Sequence, residues 1–110
     1  MFKTIAVLLA AIGTAFHAQR LPHVTASTTC YAQGGITASG VDAYFGEVAV
    51  LPGTLPLGAK IRLDKDAFGR REYTVWDHIG YGSELDIFNP SETACIDYGR
   101  QERGYVVLSR

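Results

Sequence analysis

The sequence predicts a mainly β domain that closes into a compact barrel with one short helix. Helical periodicity is nearly absent after the first residues, whereas six short runs are rich in β-branched and aromatic residues. Turn-forming clusters of Gly, Pro and Asp separate these runs. Closure into a barrel is expected because it removes unpaired strand edges. The predicted strands are residues 24–31, 48–51, 60–63, 73–76, 85–88 and 105–108.

The helix is predicted between the fifth and sixth strands. Asn89 can cap it, Pro90 fits its first turn, and Glu92 lies three residues after Asn89, as in a capping box. Gly99 can adopt the left-handed conformation that ends many helices. The segment between Asn89 and Gly99 is therefore expected to be helical.

The start of the chain is typical of a secretory signal peptide. Lys3 carries a positive charge, and residues 4–16 form an uncharged apolar run. This run is too short to cross a bilayer, which needs about 20 residues. We expect cleavage after Ala15, with Ala18 as the alternative. This assigns residues 1–15 to a signal peptide and residues 16–110 to a single secreted domain.

The charge balance excludes several classes of partner. The chain carries 10 basic and 11 acidic residues, a formal net charge of −1, without a basic run. Binding to nucleic acid and anchoring at an anionic membrane both depend on clustered Lys and Arg, so neither is expected. No two potential ligands show the spacing of a zinc site, and nothing indicates another cofactor. We expect a soluble monomer.

The two cysteines, Cys30 and Cys95, predict a disulfide in an exported protein. Closing the loop between residues 30 and 95 would stabilise the fold by about 4 kcal/mol. The alternative is a cysteine nucleophile with His78 as its base.

Five sequence blocks resemble a known family. Residues 37–40 read Thr-Ala-Ser-Gly, similar to the TASG signature of rare-lipoprotein-A-like double-psi β-barrels and of the related 3D domain, which is named for three aspartates. The blocks that follow in the family's order resemble G-x-x-A-V-D-P-x-x-I-P-L-G at residues 46–58, V-x-D-x-G-G at 75–80, I-D-L-Y at 85–88 and F-G-R at 98–100. The resemblance implies a six-stranded double-psi β-barrel.

The chain departs from the family pattern in two places. Leu51 stands where the first family aspartate is expected, so that carboxylate is missing, although Asp42 and Glu47 lie nearby in the sequence. The stretch from Asp77 to Asp86 is about two residues shorter than the usual 3D loop and lacks its Lys.

The resemblance also implies an activity on peptidoglycan or a related cell-wall polysaccharide. Relatives of the membrane-bound lytic transglycosylase A type cleave the bond between N-acetylmuramic acid and N-acetylglucosamine and leave a 1,6-anhydro end. The family's catalytic acid falls at Asp86 and its companion aspartate at Asp77. A free Asp has a pKa of about 3.9, so Asp86 would need an environment that raises its pKa. Either aspartate could instead be a turn former, with Asp77 accepting hydrogen bonds from residues 80–82.

Other residues are candidates for binding the glycan. Thr37 and Ser39 are expected to hold the TASG turn, and Ser39 is a candidate sugar contact. Aromatic faces can stack on sugar rings, so Tyr44, Trp76 and Tyr81 are candidates. Tyr81 is preferred because it lies in a glycine-rich loop, whereas Trp76 is equally suited to the core. His78 is expected at the surface, because neighbours on a strand face opposite ways.

Three hypotheses follow for the function. The first is a secreted lytic transglycosylase with Asp86 as its acid and base and Asp77 in support. The second, motivated by Leu51, is a glycan-binding or wall-loosening module without turnover, as in the expansin-like and barwin-like barrels that the resemblance also allows. The third is a secreted inhibitor or interaction protein that uses the barrel only as a scaffold.

Overall fold

The computed structural model describes residues 22–80 and 82–110, in a mainly β fold with one short helix. The predicted signal peptide, its cleavage site and Tyr81 lie outside these residues. The elements, in chain order, are β1 (Val24–Tyr31), β2 (Glu47–Val50), β3 (Lys60–Ala67), β4 (Arg70–His78), β5 (Leu85–Phe88), α1 (Glu92–Tyr98) and β6 (Gln101–Ser109).

The six strands form a closed barrel in the order β1-β5-β2-β4-β3-β6, which confirms the predicted fold class. Two pairs, β1 with β5 and β2 with β4, are parallel, and the other four pairs are antiparallel. The barrel closes because β1 pairs with β5 on one side and with β6 on the other. This mixed, closed topology is compatible with a double-psi barrel.

Alternating side chains fill the barrel. In β3, Ile61 and Leu63 are buried, whereas Lys60 and Arg62 face the solvent. Full burial of such an aliphatic side chain contributes roughly 1.5–3 kcal/mol. The same alternation in the other strands brings Val48, Val50, Tyr73, Val75, Leu85 and Ile87 into one apolar core.

Three strands are longer than their apolar runs predict. β3 continues through the charged Asp64–Asp66 segment to Ala67, and β4 begins at Arg70, so the hairpin turn is narrowed to Phe68 and Gly69. Both turn residues have positive φ, 57° and 78°, as a tight two-residue hairpin requires. β6 likewise begins at Gln101, where its pairing with β1 starts. At the start of β6, backbone pairing with β1 overrides the weak β-propensity of Glu102 and Arg103.

The helix begins two residues later than the predicted capping box. Ser91 is the capping residue, and its hydroxyl accepts a hydrogen bond from the Ala94 N–H at 3.1 Å. The Asn89 side chain instead accepts from the Ser91 N–H at 2.9 Å, which stabilises the turn that leads into the helix. Gly99 ends the helix, as predicted, but with φ 62° and ψ −133° it adopts another positive-φ conformation rather than the left-handed helical one. In the part of the chain that the structure describes, no helix has the length and apolar character needed to cross a membrane.

A disulfide joins Cys30 of β1 to Cys95 of α1, as predicted, across a sequence separation of 65. It excludes the alternative of a cysteine nucleophile in the oxidised protein. A buried hydrogen bond reinforces it: the Tyr98 hydroxyl lies 2.6 Å from the Thr28 hydroxyl, which donates to the Gln101 carbonyl at 2.8 Å. The helix is therefore held to β1 at two positions, Cys95 and Tyr98.

Removing the disulfide should destabilise the barrel strongly. We expect the Cys30→Ala/Cys95→Ala double variant to unfold with a free energy lower by about 4 kcal/mol, because the unfolded chain regains the entropy that the crosslink removes. Urea denaturation measures this difference. A reductant should lower the denaturation midpoint of the wild type and leave that of the double variant unchanged. Equal midpoints for the wild type and the double variant in the absence of reductant would contradict the expectation.

Candidate active site

A groove of about 410 Å³ opens on the outer face of the barrel, beside the loop of residues 32–46. Both Asp77 and Asp86, the two aspartates singled out in the sequence, lie in its wall. The other residues that line it are Tyr31, Gln33, Gly34, Ile36, Ala49, His78 and Ile79.

Strand register brings the two aspartates together around Ala49. Ala49 pairs with Asp86 across the antiparallel β2–β5 ladder and with Asp77 across the parallel β2–β4 ladder. Paired residues on adjacent strands project to the same face of a sheet, and adjacent strands lie about 4.8 Å apart. The aspartates therefore flank the small methyl group of Ala49 on the floor of the groove.

An irregularity in the register directs Asp77 to this face. Val48 pairs with Val75, but Ala49 pairs with Asp77, so Trp76 is left without a partner on β2. Regular alternation would place Asp77 on the same side as the buried Val75. The extra residue reverses the alternation, as β-bulges beside functional sites do, and turns the Asp77 carboxylate outward.

Asp86 lies partly buried in an environment that favours its protonated form. Burial raises its pKa, the nearby charge of Asp77 raises it further, and a hydrogen bond from Thr29 opposes both effects. The Thr29 hydroxyl donates to Oδ1 of Asp86 at 2.9 Å and lies 2.6 Å from the hydroxyl of the buried Ser83. This side chain is thus fixed in position while its proton affinity is increased, as a general acid requires.

Asp77 also anchors the 32–46 loop. Its Oδ1 accepts the Ala38 N–H at 2.9 Å and the His78 N–H at 2.8 Å. The Ser39 N–H donates to the Trp76 carbonyl at 3.1 Å, next to this contact. Asp77 therefore accepts backbone hydrogen bonds, as the alternative interpretation supposed, but from residues 38 and 78 rather than from the turn at 80–82.

Thr37 and Ser39 hold the turn of the TASG block. The buried Thr37 hydroxyl donates to the Val41 carbonyl at 2.6 Å and lies 2.8 Å from the Ser39 hydroxyl. Backbone bonds from Thr37 to Val41 and from Ala43 to Gly35, at 2.9 and 2.8 Å, complete the turn. Neither hydroxyl lines the groove, so these two residues shape the loop that borders it.

Trp76 and Tyr44 are joined by a side-chain hydrogen bond, and neither of them lines the groove. The Trp76 indole N–H donates to the Tyr44 hydroxyl at 2.8 Å, and Tyr44 is 42% exposed. Trp76 is only partly buried and is absent from the core, so it is available at the surface. His78 is exposed on the rim of the groove, as predicted.

Glu47, which the sequence places only near the missing family carboxylate, and Tyr31 are further residues of this site. Glu47 is fully buried at the start of β2, and its Oε1 accepts the Tyr31 hydroxyl at 2.5 Å. Burial raises the pKa of Glu47 to about 7; the hydrogen bond from Tyr31 lowers it, and the charges of Asp77 and Asp86 raise it. Burial and this hydrogen bond also raise the pKa of Tyr31. One feature of the sequence indicates this position: Glu47 precedes Ala49 by two residues, and residues two apart on a strand share a face.

The site as described contains no metal centre. Among residues 22–80 and 82–110, no group of three His, Cys, Asp or Glu side chains has an arrangement that could hold a metal ion.

Comparison with known proteins gives no family assignment for this chain. Neither a family model, nor a curated protein, nor a solved structure matches it.

The two roles of Asp77 can be separated by substitution. Asp77→Asn retains Oδ1 and removes the charge, so we expect the Ala38 amide to remain protected while the pKa of Asp86 falls towards its ordinary value. Asp77→Ala removes both, and the Ala38 amide should exchange about fivefold faster, since a lost hydrogen bond costs about 1 kcal/mol. Amide exchange and carboxyl titration by NMR measure the two effects. Equal exchange in both variants would show that Asp77 does not anchor the loop.

Glu47 should make the stability of the barrel depend on pH. Its pKa is raised in the folded protein from 4.5 to about 7, so the folded state binds more protons than the unfolded state between these values. Stability therefore falls as pH rises through this range, by up to about 3 kcal/mol relative to Glu47→Gln. Urea denaturation of both proteins at about pH 5 and about pH 8 measures the difference. A parallel pH dependence in the two proteins would exclude a raised pKa.

Proposed function

We propose that this chain is a secreted domain that acts on peptidoglycan as a lytic transglycosylase, with Asp86 as its acid and base. The observation that carries the proposal is the placement of Asp86 and Asp77 on either side of Ala49, on the floor of one groove. The resemblance of five blocks to the 3D and rare-lipoprotein-A-like barrels supports it, together with the closed mixed barrel. The disulfide supports export to an oxidising compartment.

The reaction needs one group that gives a proton and then takes one. Protonated Asp86 gives its proton to the glycosidic oxygen as the bond between that oxygen and C1 of N-acetylmuramic acid breaks. The resulting carboxylate takes the proton of the C6 hydroxyl while O6 bonds to C1. Atoms balance without water, and Asp86 is again protonated. The raised pKa of Asp86 supports the first half of this cycle.

Asp77 supports the same cycle through its charge. A carboxylate across Ala49 favours the protonated form of Asp86 before cleavage, and it stabilises positive charge that develops at C1 during cleavage. Thr29 fixes the orientation of Asp86 from the opposite side, through its hydrogen bond.

The missing family aspartate does not weaken this arrangement. Leu51 lies in the turn that follows β2, where its carbonyl accepts hydrogen bonds from the Thr54 N–H and hydroxyl, and it does not line the groove. The proposed mechanism uses one acid and assigns no role to position 51.

A second candidate function is glycan binding without cleavage. Ile36, which lines the groove and is 71% exposed, and the hydrogen-bonded Trp76–Tyr44 pair outside the groove provide apolar surface for sugar rings. Aromatic faces bind sugars without any contribution from the aspartates.

Digestion of peptidoglycan sacculi tests the first function. Oxidised wild-type protein should release muropeptides with 1,6-anhydro ends, each lighter by one water than its hydrolysed counterpart, as measured by mass spectrometry. Asp86→Asn should reduce the yield at least about 100-fold, in keeping with the loss of a general acid. Asp97→Asn, the same change at an exposed position of α1, is the control and should retain the wild-type yield.

Each of the other outcomes contradicts part of this proposal. Ordinary reducing ends would identify a hydrolase, and equal yields from wild type and Asp86→Asn would remove Asp86 from the mechanism. The binding function would be established if no products form, the wild-type protein sediments with the sacculi, and the Tyr44→Ala variant does not.

A further inference from the structure

Glu47 occupies an environment that an ordinary structural residue does not need. Among residues 22–80 and 82–110 it is the only charged side chain that is fully buried, with 0% of its surface exposed. Oε1 accepts the Tyr31 hydroxyl, but Oε2 is buried without a hydrogen-bond partner. An apolar side chain would fill this position at lower cost, since a buried polar atom without a partner destabilises the fold.

The position of Glu47 connects it to the groove. It lies two residues before Ala49 on the same face of β2, so it is on the side of the sheet that carries Asp86 and Asp77. Tyr31, at the end of β1, connects Glu47 to the groove: its hydroxyl donates a hydrogen bond to Glu47, and its side chain lines the groove. The ring of Phe88 packs against Tyr31 edge to face, with centroids 5.3 Å apart, and fixes its orientation.

We propose that Glu47 is a positioning residue of the groove, which holds the Tyr31 hydroxyl and shares a proton with Asp86. The titratable groups that act on it are Tyr31 of β1, Asp77 of β4 and Asp86 of β5, all of which are acids. Three carboxyl groups in one poorly solvated region cannot all ionise without strong repulsion. The site therefore retains one proton to a higher pH than an isolated aspartate would.

The coupling between the carboxyl groups is reciprocal. The charges of Asp77 and Asp86 favour protonation of Glu47, so ionisation of Glu47 must favour protonation of Asp86 by the same free energy. The pair keeps its last proton until about pH 7, the pKa of Glu47 in this environment. While that proton remains, a fraction of the molecules carries it on Asp86. For catalysis this consequence rests on the proposed function, whereas the shared proton itself does not.

Carboxyl titration of the protein without ligand tests the proposal directly. With ¹³C-labelled Glu and Asp side chains, NMR should show Glu47 titrating near pH 7 in the wild type. Asp86→Asn and Asp77→Asn should each lower this midpoint, because each removes a charge that raises it. Tyr31→Phe should raise the midpoint, because it removes the hydrogen bond that stabilises the ionised form. Glu72→Gln, at an exposed position of β4, should leave it unchanged.

Two results would overturn the proposal. One is a Glu47 midpoint in the ordinary range of glutamate, near 4.5. The other is a raised midpoint that responds to none of the substitutions at positions 31, 77 and 86. Because no glycan is present, either result stands whether or not the protein cleaves peptidoglycan.

If cleavage is observed, the pH profile gives a second readout. The wild-type rate should fall on the alkaline side near pH 7, and in Glu47→Gln this fall should move to lower pH, because Asp86 then has no partner with which to share a proton. Glutamine retains an oxygen that can accept from Tyr31, so the rate on the acidic side should be preserved. An alkaline limb at the same pH in both proteins would refute the shared proton even if cleavage itself is confirmed.

Discussion

The register of β2 determines the rest of the site. This strand has only four residues, Glu47–Val50, and all of them are buried between β4 and β5. The side chains of β2 alternate between the two faces of the sheet: Val48 and Val50 enter the apolar core, while Glu47 and Ala49 face the groove side. A shift of one residue would exchange these sets and would place a carboxyl group inside the barrel. The burial of two valines thus fixes the location of the acidic residues around Ala49.

The structure meets two requirements at this face of the sheet. Apolar side chains must pack to close the barrel, and carboxyl groups whose pKa values are raised must be partly removed from water. The 32–46 loop meets both requirements, because it borders the groove and is fastened to β4 through Asp77. The same carboxylate thereby contributes to the architecture of the loop and to the electrostatics of Asp86.

Much of the fold could be predicted from the sequence, since apolar alternation and turn residues are local signals. The six strands, the helix with its terminal Gly99 and the pair Cys30–Cys95 are all observed. The extension of β6 to Gln101 was not predictable, because it depends on pairing with β1, which is distant in the chain. Asp77 and Asp86 could be proposed from motif resemblance, but their common relation to Ala49 depends on a register shift at Trp76 that no local pattern reveals. Glu47 was missed for a similar reason: a carboxylate at a strand start ordinarily faces water, and only tertiary structure covers it.

The closure of the barrel has a consequence for how the molecule acquires its structure. Among the strands of residues 22–80 and 82–110, β1 pairs only with β5 and β6, so both of its partners come much later in the sequence. Such distant pairings require large loops to close before they contribute stability, and they slow folding. During synthesis the N-terminal strand therefore leaves the ribosome with neither neighbour available. It can join the sheet only after β5 or β6 has been made, and the oxidation of Cys30 and Cys95 then secures that pairing.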